Sequence, residues 1–158
     1  MIPKLFHNID TLIRIIVILT SLVHPFILLS YGELPSMSSY WETPLQPLFI
    51  FVNATTSYFL FSINKWKLPS LFLLLLTTFS VSLYPQLHNV FTILFFITYL
   101  YPLIKTKRFK YYPILYSLSI IVGLLYGILW LEIYCVLILT IYHLHTLIYK
   151  EYLLTQRK

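Results

Sequence analysis

Apolar residues in this chain form long runs that are separated by short polar segments. Six runs can be delimited, at residues 12–31, 45–64, 68–84, 86–104, 111–127 and 129–149. Because about 20 helical residues cross the hydrocarbon of a bilayer, each run predicts a transmembrane helix, and the shorter runs predict upright helices or a thinned bilayer. The first run continues from Ile15 to about Tyr31 without a small-residue cleavage motif. It therefore predicts a retained span and not a cleaved signal.

Proline and glycine mark the boundaries between neighbouring runs. Tyr84-Pro85 separates the third run from the fourth, because proline interrupts helical hydrogen bonding and biases the preceding residue away from the helical region. Residues 111–149 are too many for one crossing, and Gly127 is the natural place for the chain to turn. The pattern predicts one all-α domain, residues 1–158: a polytopic membrane bundle of about six short transmembrane helices.

Composition excludes a soluble protein. Of the 158 residues, 59% are hydrophobic and only 10% are charged, and the mean hydropathy is +0.81. Soluble domains carry about a quarter charged residues, and so short a chain could not cover this much apolar surface with its few polar groups. We therefore expect an integral, multi-pass membrane protein, with membrane lipids as its partners. The residues leave open whether it resides in a plasma or inner membrane or in an endomembrane.

The positive charges indicate how the helices are oriented. With six spans, one side of the membrane receives every basic residue of the chain: Lys4, Arg14, Lys65, Lys67, Lys105, Lys107, Arg108, Lys110, Lys150, Arg157 and Lys158. The other side receives Glu33 and Glu42 and no basic residue. By the positive-inside rule both termini are predicted to be cytoplasmic. The net charge of +6 then reflects topology, and no nucleic-acid partner is predicted.

Five polar residues near or within the spans are candidates for ligand binding. In this topology His88 opens the fourth span on the external side, with Asn89 beside it, and Glu132 opens the sixth span at the same level. His24 lies in the outer half of the first span and Asn53 at mid-depth in the second. An ionisable residue inside a span is a functional hypothesis by default. Structural roles remain open, because His88 and Glu132 could also act as helix caps.

The remaining polar residues predict no catalytic or metal site. Glu132 and His143 are 11 residues apart, so the helical rise separates them by about 16 Å and they cannot form one site. His143 and His145 are interpreted as interfacial polar residues at the cytoplasmic boundary. No metalloprotease-type histidine pair and no serine set against a histidine is visible, and neither metal nor cofactor is predicted. The single cysteine, Cys135, excludes an internal disulfide.

One segment indicates close helix packing. Ser119, Gly123 and Gly127 recur at intervals of four in the fifth run, which places small residues on one helical stripe and allows another helix to approach. Packing within the bundle and self-association through this stripe are both open.

Three short motifs resemble those of a known family. They are LPSMS after the first span, PQLHNVFTILFF opening the fourth and WLEIY opening the sixth. With the six-span pattern, they resemble the DRAM-like family, which includes the damage-regulated autophagy modulators and the Golgi protein that remodels GPI-anchor lipids. The TPLQP segment at residues 43–47 departs from the family pattern. The resemblance implies a lipid-related or regulatory membrane protein and carries over His88 and Glu132.

Three functions follow as expectations. The leading one is a non-enzymatic membrane protein that binds or positions a lipid, or serves as a subunit or regulator of a membrane complex. The alternatives are an intramembrane lipid-modifying enzyme with an external His/Glu site, and a small transporter.

Overall fold

The computed structural model describes residues 9–106 and 109–156. Seven α-helices form within these ranges: α1 (Ile9–Tyr31), α2 (Gln46–Phe61), α3 (Lys67–Thr78), α4 (Pro85–Lys105), α5 (Tyr111–Ser117), α6 (Ser119–Tyr126) and α7 (Ile128–Gln156). Two 3₁₀ helices, Met37–Glu42 and Asn64–Trp66, lie in the connections. The described residues contain no strand, so the all-helical fold class is confirmed.

Three of the described helices are long and apolar enough to cross a membrane. They are α1 over Thr11–Tyr31, α4 over Pro85–Lys105 and α7 over Ile128–Lys150. Large apolar side chains such as Phe26 and Ile97 point outward from them, with 56% and 62% of their surface exposed. A soluble monomer rarely exposes extended apolar surface, so these helices indicate a membrane protein. The finer six-span arrangement remains a prediction.

The third predicted span is shorter than expected. Run 68–84 is helical only as α3, and residues 79–84 form a turn that ends where Pro85 begins α4. The backbone N–H of Leu83 donates to Ser80 Oγ at 3.2 Å, and such local serine bonds compete with the helix. The break at Tyr84-Pro85 is confirmed, and the turn takes the Phe79 carbonyl out of a regular helix.

The fifth predicted span is two short helices, α5 and α6, divided at Leu118. Gly127 ends α6 with a φ of 95°, a conformation that glycine adopts readily, so the predicted turn is confirmed. Gly123 packs within the chain, because an added Cβ would lie 2.5 Å from Leu131 Cδ1 of α7. Ser119 is also buried. The helical stripe therefore comprises Ser119 and Gly123 without Gly127, and self-association through it stays a prediction.

A small apolar core fixes the 3₁₀ helix Met37–Glu42 against the bundle. Tyr40 and Met37 are buried together with Leu28 of α1, Phe49 of α2 and Ile133 of α7. The segment between α1 and α2 is thus a packed element that lies over the beginning of α7. This packing places its backbone beside Glu132.

Candidate functional site

Glu132 caps the 3₁₀ helix Met37–Glu42. Its carboxylate Oε2 accepts a hydrogen bond of 2.6 Å from the Met37 backbone N–H, and both residues are buried. The first N–H groups of a helix have no partner within it, and the side chain of the preceding residue, Ser36, makes no capping bond. A carboxylate on α7 supplies the missing acceptor where negative charge is favoured.

His88 is hydrogen-bonded to Ser38, which follows Met37 in the same 3₁₀ helix. His88 Nδ1 lies 2.7 Å from the Phe79 carbonyl oxygen, and Nε2 lies 2.8 Å from Ser38 Oγ. Since a carbonyl can only accept, Nδ1–H is the donor to Phe79. In the neutral imidazole Nε2 is then an acceptor, and the Ser38 hydroxyl donates to it. The turn at residues 79–84 therefore sets the tautomer of His88.

His88 and Glu132, which the sequence places at the same level of the membrane, do not form a direct hydrogen bond. Both ring nitrogens of His88 already have partners. Glu132 bonds Met37 and His88 bonds Ser38, so adjacent residues of the 3₁₀ helix join them. Glu132 and His88 are therefore connected through two adjacent residues of the 3₁₀ helix and not by direct contact.

A pocket of about 430 Å³ lies between α4 and α7 beside these residues. Its polar lining comprises Ser36, Ser38, His88, Asn89, Thr92 and Glu132. Its apolar lining includes Ile93, Phe96, Ile128 and Leu131. Polar and apolar side chains thus line the same cleft, as in small-molecule sites generally. We call this the loop pocket; it contains three of the five predicted site residues.

Asn53 and His24 lie deeper in the bundle than the loop pocket. A smaller cavity of about 50 Å³, lined by Ser38, Glu132 and Asn53, leads inward. Asn53 also lines a central cavity of about 70 Å³ with His24. Across this cavity Ser21 and Thr56 are hydrogen-bonded at 2.8 Å.

His24 differs from the other residues of the site because one of its ring nitrogens is not hydrogen-bonded. In the described part of the chain, its Nε2 is the one buried side-chain nitrogen or oxygen without a hydrogen-bond partner. An unpaired buried polar group costs free energy. The cavity beside it exceeds the roughly 10–15 Å³ that a water molecule needs. His24 is therefore placed to bond a molecule in the central cavity and does not contact His88 or Glu132 through a hydrogen bond.

His143 is not the interfacial residue that its position near the cytoplasmic end of the sixth predicted span indicated. It is buried, its Nε2 and the Tyr99 hydroxyl are hydrogen-bonded at 2.6 Å, and its ring packs against Trp66 and Phe59. The sequence prediction failed because depth along a helix does not report which face a residue occupies. His145 is more exposed and lies 3.0 Å from the Tyr111 hydroxyl.

The residue of the candidate site that sequence reasoning missed is Ser38. It lies 50 positions from His88, in a polar loop with several other serines. No spacing rule connects them, and only the motif LPSMS draws attention to this serine. Within the described ranges no group of three histidine, cysteine or acidic side chains is arranged to hold a metal ion.

Comparison of the chain with family models, curated proteins and solved structures gives no match. The resemblance to the DRAM-like family therefore remains a prediction from the three motifs.

Proposed function

We propose that this is a six-span membrane protein with cytoplasmic termini that binds a lipid headgroup in the loop pocket without transforming it. One observation carries the proposal. Two buried titratable side chains, Glu132 and His88, hydrogen-bond the neighbouring loop residues Met37 and Ser38 beside a pocket that both polar and apolar side chains line. These buried hydrogen bonds fix the loop in place. A surface that only contacts lipid would not require a fixed loop.

The lining fits a hydroxyl-bearing or zwitterionic headgroup. Glu132 Oε2 bonds Met37, while Oε1 accepts no bond from a described residue, so it can accept one from a ligand hydroxyl or ammonium. Asn89 at the exposed rim offers both an amide donor and a carbonyl acceptor. The apolar lining residues Ile93 and Leu131 would contact the first carbons of the acyl chains.

Lipid binding can be tested with substitutions that keep the loop in place. Asn89→Leu removes a rim donor and acceptor without touching Glu132 or His88. Asn64→Leu, at an exposed position in the other 3₁₀ helix, is the matched control. Mass spectrometry of lipid retained after mild detergent extraction should show less lipid on Asn89→Leu and an unchanged amount on Asn64→Leu. Equal retention by all three proteins would contradict the proposal.

A second candidate function, acyl transfer or ester hydrolysis, is favoured by the Ser38–His88 bond. A serine hydroxyl that donates to a histidine Nε2, with Nδ1–H oriented by another acceptor, has the arrangement of an activated nucleophile and its base. The orienting group here is the Phe79 carbonyl and not a carboxylate, and Ser38 is 6% exposed. These two facts place binding ahead of catalysis.

A serine-reactive fluorophosphonate probe separates the two candidates. If Ser38 is a nucleophile, the probe should label the protein, and Ser38→Ala and His88→Gln should abolish labelling. Ser39→Ala, one residue away, should leave labelling unchanged. No labelling of the native protein would remove the enzymatic candidate.

A further inference from the structure

We propose a second ligand site, independent of the loop pocket, where the beginning of α1 meets the last turns of α7: a pocket that binds a phosphate-bearing anion. The pocket has a volume of about 260 Å³. Its polar lining comprises Thr11, Arg14, His143, Thr146 and Lys150. We call it the basic pocket.

Helical periodicity explains why these residues meet. Thr11 and Arg14 are three residues apart on α1, and Thr146 and Lys150 are four apart on α7, so each pair shares a helix face. α1 packs against α7, which brings the two faces together around one space. A cationic group from each helix lines the same pocket, although the two are far apart in sequence.

Within the described part of the chain, the cations in this pocket are not matched by an anionic side chain. Among the described residues neither Arg14 nor Lys150 makes an ion pair, and the contact of Arg14 is with Phe59, whose ring centroid lies 5.7 Å from the guanidinium carbon. Guanidinium presents several donors in a planar fork that matches phosphate oxygens, and ammonium adds a compact charge. The Thr11 hydroxyl can donate a further bond to an anion.

Topogenic charge alone does not account for this arrangement. The positive-inside rule requires only that basic residues lie near the cytoplasmic ends of spans, as exposed Lys110 does. Arg14 and Lys150 instead line one pocket together with polar groups from both helices, and exposed apolar residues such as Ile13 and Ile16 continue along α1. The same phosphate chemistry is offered by an anionic lipid headgroup and by a soluble phosphate.

The test measures binding of defined lipids and of inorganic phosphate to the purified full chain. Fluorescent phosphatidic acid and phosphatidylcholine are titrated into the protein in neutral detergent, with and without inorganic phosphate as competitor. Lys150→Gln and Arg14→Gln should each weaken phosphatidic acid binding about tenfold, the effect of losing one charged hydrogen bond. Lys110→Gln removes the same charge outside the pocket and should leave affinity within about twofold.

The competition arm identifies the source of the phosphate. Displacement by inorganic phosphate is the result expected if a soluble anion fills the pocket, and resistance to displacement is expected for a lipid headgroup. Because Arg14 is partly buried, Arg14→Lys is included to keep the charge while losing the fork, and exposed Lys150 provides a variant that does not disturb packing. Equal loss of affinity in Lys110→Gln and Lys150→Gln, or equal binding of phosphatidic acid and phosphatidylcholine, would overturn the proposal.

Discussion

Removing the Glu132 side chain should release the 3₁₀ helix Met37–Glu42. In Glu132→Ala the Met37 N–H loses the acceptor that lies 2.6 Å away and remains buried. An unsatisfied buried donor costs about 1–3 kcal/mol, so we expect the free energy of unfolding to fall by that amount. Glu132→Gln keeps an amide oxygen that can accept the same bond. It should therefore cost less, about 1 kcal/mol.

The hydrogen bond between Ser38 and His88 allows a double-mutant test of the same role. Ser38→Ala removes the hydrogen bond of 2.8 Å to His88 but leaves Met37 and Glu132 in place. Once one of these two hydrogen bonds is lost, the 3₁₀ helix can move away from the bundle, and the remaining hydrogen bond then stabilises the protein less. The double variant Glu132→Ala/Ser38→Ala should then be less destabilised than the sum of the single variants, with a coupling of about 0.5–3 kcal/mol.

Thermal unfolding in one detergent, followed by circular dichroism, measures the four variants and the native protein. Glu42→Gln provides the control, because Glu42 is exposed at the end of the same 3₁₀ helix and should leave the unfolding temperature unchanged. Strictly additive effects of the two substitutions would show that the bonds act as separate caps. A Glu132→Ala protein as stable as the native one would refute the capping role.

Two further predictions concern packing and topology. Gly123→Leu should destabilise the protein more than Leu124→Gly. A side chain at position 123 meets Leu131 and overpacking costs about 1–3 kcal/mol, whereas glycine at exposed position 124 costs about 1 kcal/mol of helix propensity. Similar unfolding temperatures of the two variants in detergent would contradict this prediction. The topology can be tested with Glu33→Cys and Lys105→Cys, each made in a variant whose native cysteine is replaced by serine. An impermeant thiol reagent should label Glu33→Cys from the external side of the membrane and Lys105→Cys from the other side. Labelling of both from one side would exclude the six-span arrangement.

The sequence by itself determined the class of fold and several element boundaries. Long apolar runs with few charges favour helices in lipid, because a bilayer offers no partner for exposed backbone groups and a helix pairs these groups within one segment. Pro85 at the start of α4 and Gly127 after α6 also follow from local chemistry, since proline and glycine restrict or free the backbone without reference to distant residues. The candidate residues His88, Asn89 and Glu132 were found because polar side chains are conspicuous in so apolar a chain.

Only the tertiary structure decided which polar groups meet. Met37 and Glu132 are 95 positions apart, and His88 finds Ser38 only because the loop folds back over the bundle on its own apolar core. His143 shows the same limit, since its place near the end of the sixth predicted span indicated an interfacial residue, whereas packing buries it beside Tyr99. Local preferences act over a few residues, so they fix where helices begin and end. Contacts between distant segments depend on how the helices pack, which is why the loop pocket could be read only from the folded chain.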